Sequence, residues 1–179
     1  GAVIGRFGNR IYPAEVEIDG QKYQLTVNER LGGGQGHIHG GNKGFDRFVW
    51  KGETVTQAAT DTSVARVGVR FTRLSPDGEE GYPGNLNAEV TYWWDENNVL
   101  KIEYRATTDK PTIVNMLNHA YFNLKGSKGG YVMDHYLQVN ADLEPITIGK
   151  IILNGKKSAP YTISYGMVET LHSEKKYIS

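Results

Sequence analysis

Apolar and polar residues alternate along most of this chain with a period of two. Val16 and Ile18 interleave with Glu15 and Glu17, and Tyr23, Leu25 and Val27 are separated by Gln24 and Thr26. Between these runs lies Asp19-Gly20, which supplies the two residues that a type I′ turn needs at positive φ, so Glu15 to Val27 is predicted to fold as a hairpin. Ala65, Val67, Val69 and Phe71 alternate with Arg66, Gly68, Arg70 and Thr72, which predicts a half-buried strand with one apolar and one cationic face. Leu86, Ala88, Val90, Tyr92 and Trp94 interleave with Asn85, Asn87, Glu89, Thr91 and Trp93. After Asp95-Glu96-Asn97-Asn98 the run Leu100, Ile102, Tyr104, Ala106 returns as the partner strand. Lys101, Glu103 and Arg105 on its polar face are placed to form solvated charge pairs with Glu89. Helix-like apolar repeats are hard to find, and 22 glycines imply many turns between short strands. The expected class is all-β. Beyond Asp142 the pattern weakens, with Ile146 to Leu153 a candidate strand and Asn154-Gly155 a candidate turn.

A length of 179 residues suits one domain or part of one. Twenty Lys and Arg balance twenty Asp and Glu, so no global field draws the chain to nucleic acid or to an anionic membrane, and a neutral small-molecule partner fits better. The absence of cysteine excludes a disulfide framework and a thiolate metal site, while leaving cytoplasm and periplasm equally open. No apolar run reaches membrane-spanning length, and GAVIGRFGNR lacks the marks of a secretory signal.

Three glycine-rich stretches interrupt the alternation: 31–44, 75–84 and 125–130. Loops carried on a rigid sheet are where binding groups concentrate. Asn9-Arg10 precedes a Tyr12-Pro13 turn, and Arg10 is either a surface residue at a strand end or a planar fork able to hold two sugar oxygens. His37-Ile38-His39-Gly40-Gly41 places two histidines on one side of an extended segment, but two ligands fall short of a zinc site, so a hydrogen-bonding role is favoured over metal. If Pro111 to Tyr121 is extended, Ile113, Asn115, Leu117, His119 and Tyr121 share a face. His119 then emerges beside Tyr121, as either a satisfied structural histidine or a proton donor suited to neutral pH. Ser75 to Gly84 gathers Asp77, Glu79 and Glu80. Paired carboxylates there suit acid–base work or a cation, whereas Pro-Asp-Gly and Pro-Gly argue for a long rigid loop.

The order of these motifs resembles the aldose 1-epimerase (galactose mutarotase-like) family. GAVIGRFGNRI is similar to that family's GxxxGRxANRI stretch and HGGNKGFDRFVW to its HGGxxGFDxxxW stretch, while SPDGEEGYPG, NHAYFNL and MDHYLQVNAD follow in family order. The resemblance implies an antiparallel β-sandwich of the supersandwich kind, with residues 1–142 its central part and 143–179 a divergent segment or tail. It implies anomer interconversion of hexoses without cofactor or metal, with Asn9, Arg10 and His39 binding sugar and His119 as general acid; His37 has no counterpart. The family's catalytic Glu and a substrate-binding Asp lie far beyond NHAYFNL, and nothing up to Ser179 matches them. An incomplete sandwich lacking its own base is therefore expected, with a non-catalytic sugar-binding module or an inactive fragment as alternatives. Leu117 stands where the family usually has Thr, and LGGGQG precedes His37 as an insertion.

Overall fold

The computed structural model describes residues 1–29 and 34–132, together with the backbone of six short strands between 136 and 171. The chain is nearly all β, broken only by single 3₁₀ turns at Phe45–Arg47 and Glu79–Gly81 among the described residues. It divides into two compact units, one of residues 3–118 with 168–179 and one of 1–2 with 119–167.

The larger unit begins with β1 (Val3–Ile4), β2 (Arg10–Ile11), β3 (Glu15–Ile18), β4 (Gln21–Gln24) and β5 (His37–Ile38). β3 and β4 form the expected hairpin, Ile18 opposite Gln21, with Asp19 and Gly20 both at positive φ as its turn demands. β6 (Lys51–Gln57), β7 (Arg66–Ser75), β8 (Leu86–Asp95) and β9 (Leu100–Thr108) then make a four-stranded antiparallel meander. Each of these strands follows its neighbour in sequence, and β8 and β9 are joined by a short turn while the loop after Ser75 joins β7 to β8. Glu89 lies opposite Arg105 as expected, although the close charge contacts fall elsewhere: Lys101 to Glu103 at 2.6 Å and Arg70 to Glu53 at 2.6 Å. Such solvated pairs contribute about 0–1 kcal/mol each.

β10 (Thr112–Val114) and β11 (Leu117–Asn118) correct the expectation of one extended run from Pro111 to Tyr121. β11 pairs with β1, Asn115 bridges to Phe7, and β10 pairs with β17 (Glu169–Leu171). Met116, which lies in no strand, separates the two pieces. Two cores result. Phe7, Ala14, Ile18, Leu25, Tyr82 and Ile113 form the first, and Phe45, Leu86, Ala88, Ala106 and Val114 the second. Burying a large apolar side chain contributes about 1.5–3 kcal/mol. Trp50 joins the second core while its indole N–H donates to the Phe45 carbonyl at 3.0 Å. The apolar face of the meander is buried at its Leu86 end. At the other end Val67 is 58% and Trp94 49% exposed, so half-burial holds along only part of β7.

The smaller unit holds β12 (Tyr136–Val139), β13 (Ile146–Thr147), β14 (Lys150–Leu153), β15 (Lys156–Lys157) and β16 (Tyr161–Thr162). β12 and β14 pair in parallel, an exception to the antiparallel rule of the meander. The candidate strand Ile146 to Leu153 is realised as β13 and β14. The candidate turn Asn154-Gly155 lies outside the described residues, as does part of the LGGGQG segment.

Candidate functional site

Two very short strands assemble the sugar-binding candidates. β2 and β5 pair Arg10 with Ile38 and Ile11 with His37, which brings the flanking Asn9 and His39 together. Both have left-handed backbones, at φ 62° and 53°, a region that Asn and His tolerate better than most residues. They exchange two hydrogen bonds: the His39 N–H donates to the Asn9 carbonyl at 3.1 Å, and the Asn9 N–H donates to His39 Nδ1 at 3.1 Å. Because Nδ1 accepts, the neutral ring carries its proton on Nε2. His39 is thereby fixed as a ring N–H donor. The next residue, Gly40, has φ 82°, and a Cβ there would sit 1.7 Å from the Gly5 carbonyl oxygen, so glycine is required.

Arg10 extends from the same strand with its side chain 51% exposed. Its Nε donates to Glu29 at 2.7 Å, which orients the guanidinium plane. The two terminal NH₂ groups of the fork supply its remaining donors.

His37 does not share a face with His39, which corrects the reading of a His-x-His pair. The left-handed backbone at His39 breaks the two-residue alternation, and His37 turns into the core. There its Nδ1–H donates to the Thr26 carbonyl at 2.7 Å and its Nε2 accepts the Tyr82 hydroxyl at 2.5 Å. Burial pushes its pKa below the ordinary value despite the Thr26 carbonyl. The unfolded chain therefore binds the proton more readily, and the stability contributed by neutral His37 is present above about pH 6.5 and lost as pH falls toward the lower folded value. Thermal midpoints recorded from about pH 7.5 down to 5 should fall more steeply for the native protein than for His37→Gln; parallel slopes would contradict this. Among the described residues no cluster of three metal-ligating side chains occurs.

The carboxylates of the 75–84 loop are committed to structure. Asp77 accepts the Gly84 N–H at 2.5 Å and Lys110 Nζ at 2.6 Å. Burial pushes the Glu79 carboxyl up, but hydrogen bonds from Arg73 and Ser75 outweigh it and hold the group below its ordinary range. Glu80 accepts the N–H groups of Asn42 at 3.0 Å and Lys43 at 2.8 Å. The rigid-loop reading prevails over acid–base or cation chemistry.

Arg6, which sequence reasoning passed over, is the hub of that loop. It is 1% exposed and donates to Ser75 Oγ and to the carbonyls of Ser75, Pro76, Pro83 and Gly84, at 2.8–2.9 Å. Burial lowers its pKa to about 10, so it remains a cation at neutral pH. Its place between Gly5 and Phe7 in an apolar opening segment was the available signal.

His119 belongs to the smaller unit. Its backbone N–H donates to the Ala2 carbonyl at 2.9 Å, and its ring lies 5.2 Å from that of Tyr121, itself 86% exposed. The neighbouring Asn118, in the larger unit, donates through Nδ2 to the Tyr92 hydroxyl at 3.2 Å. Two depressions of about 490 and 580 Å³ lie on the meander, and neither is lined by Asn9, Arg10 or His39. They are open grooves along strands.

A family model described as aldose 1-epimerase matches residues 1–159. The chain belongs to the aldose 1-epimerase family. It is 40% identical over 142 residues to a galactose mutarotase of Homo sapiens, covering 79% of this chain and 37% of that protein. It is 41% identical over 163 residues to an aldose 1-epimerase of Escherichia coli (strain K12), covering 90% and 43%. A solved galactose 1-epimerase from Lactobacillus acidophilus NCFM superposes with a TM-score of 0.55 at 35% identity, over 68% of this chain and 33% of that one. The chain thus spans less than half the length of these relatives. Against the family's GxxxGRxANRI stretch, Gly8 replaces Ala, and a Cβ at Gly8 would lie 2.3 Å from Leu117 Cδ2. The two departures, Gly8 and Leu117, fit each other.

Proposed function

We propose that the full protein is a mutarotase acting on hexoses such as glucose or galactose, with Asn9, Arg10 and His39 holding the sugar and His119 serving as the acid. The Asn9–His39 pair carries this reading, because it commits the neutral His39 ring to one tautomer, with its proton on Nε2, next to the residue that precedes Arg10 in sequence. Both groups suit neutral sugar oxygens, and neither needs a metal or cofactor. A base takes the proton from the anomeric hydroxyl while His119 gives one to the ring oxygen. The bond from C1 to that oxygen then breaks, C1 rotates as the aldehyde, and reclosure from the other face returns both protons. The carboxylates of the 75–84 loop are engaged elsewhere, so the base is sought in the family's C-terminal carboxylate. Polarimetry of freshly dissolved α-galactose and α-glucose tests the reading: acceleration by the full-length protein is expected, and the spontaneous rate alone would overturn it.

Arg10→Lys separates binding from chemistry. A lysine is a point charge that cannot reproduce an oriented fork, so KM should rise roughly tenfold with kcat little changed. A collapse of kcat at constant KM would place Arg10 in the proton transfers instead.

A further inference from the structure

Building on the sugar-binding reading of His39, we propose that Glu80 is a positioning residue that holds His39 in its donor orientation. His39, Gly40 and Gly41 are three successive residues at positive φ, 53°, 82° and 100°. A histidine in this region is held there by its surroundings. One restraint is the Asn9 exchange already described. The other lies on the far side of the turn, where the two Glu80 carboxylate oxygens accept the consecutive N–H groups of Asn42 and Lys43. Charged acceptors make the stronger hydrogen bonds, and two on one carboxylate fix its direction as well as its distance. The fit is close, since a Cβ at Gly41 would lie 2.1 Å from Glu80 Oε2. This accounts for the second glycine of the HGG motif as the first is accounted for by Gly5.

Glu80 is itself anchored. Its carbonyl accepts the Thr26 N–H at 3.0 Å, its backbone is left-handed at φ 52°, and Gly81 packs so tightly on Gln24 that a Cβ would meet the Gln24 carbonyl oxygen at 2.2 Å. Two residues on, Tyr82 bonds His37. The segment Glu80-Gly81-Tyr82 therefore grips the chain two residues before His39 and three and four residues after it. The SPDGEEGYPG motif and the HGG motif form one device, in which the acidic loop acts on the sugar only through His39.

The test uses the full-length protein labelled with ¹⁵N-histidine. Native His39 should show an unprotonated Nδ1 and a protonated Nε2. Glu80→Gln keeps the shape and one acceptor oxygen but turns an NH₂ toward a backbone N–H; Glu80→Ala removes both acceptors. Both should give a mixture of His39 tautomers and raise KM for galactose about tenfold while kcat changes less than about twofold. If Glu80→Ala loses its β-sheet circular dichroism, the near-isosteric Glu80→Gln decides. A native His39 tautomer signature in the folded variants overturns the proposal, and so does a tautomer shift that leaves KM unchanged. Should the native protein fail to accelerate mutarotation, the proposed function falls, and the tautomer comparison alone decides whether Glu80 sets His39.

Discussion

Replacing His119 by alanine is expected to slow mutarotation roughly 10²-fold or more while leaving the fold in place. The chemical step needs a proton at the ring oxygen as the bond to C1 breaks, and water at neutral pH is a poor source. A histidine can give that proton and take it back in the reverse direction. The backbone bond from His119 to Ala2 involves no side-chain atom, so alanine keeps it. The ring also packs beside that of Tyr121, which is 86% exposed. The loss should therefore appear in kcat, with KM for galactose near its native value. Polarimetry across a substrate series checks this. A variant with near-native kcat would remove His119 from the chemical step.

Much of the scaffold was legible because its strands are long enough for alternation to speak. β8 and β9 run ten and nine residues, and their buried sides follow from the pattern, whereas β7, also ten residues, follows it over only part of its length. Asp19-Gly20 fixed its hairpin by turn chemistry alone. The site was legible only through motif resemblance, because β2 and β5 are two residues each and no periodicity survives in so short a strand. His37 and His39 show the cost of that. Period-two reasoning put them on one side, and a single left-handed residue undid it. Arg6 escaped for a different reason: its partners are mostly backbone carbonyls about seventy residues away, and a carbonyl leaves no mark in a sequence. The carboxylates of the 75–84 loop could be read as either chemistry or turn, and only their partners decided between the two.

Arg6→Met is expected to destabilise the protein by about 3–5 kcal/mol, the scale for removing one side of a buried charged network. Removing a buried charge can relieve desolvation, and Arg6 does bear that cost, since burial lowers its pKa to about 10. Relief wins only when the partners can be replaced together by apolar groups. Here four of the five close acceptors are backbone carbonyls, of Ser75, Pro76, Pro83 and Gly84, which no substitution removes. Methionine fills a similar length without a donor, so these carbonyls and the Ser75 hydroxyl lose a partner in a site that admits little water. At about 2–4 °C per kcal/mol for a chain of this size, the thermal midpoint should fall by roughly 6–20 °C. Arg6→Lys should fall between the two, because one ammonium has three donors and no planar spread to reach acceptors on both limbs of the loop. The damage should also reach the proposed sugar site, since the loop Arg6 gathers is the one through which Glu80 and Tyr82 grip the chain around His39. Below the lowered midpoint, KM for galactose in Arg6→Lys should therefore rise in step with that in Glu80→Gln. A midpoint for Arg6→Met within about 2 °C of native would mean that water replaces the guanidinium at the carbonyls and that the loop holds its shape without it.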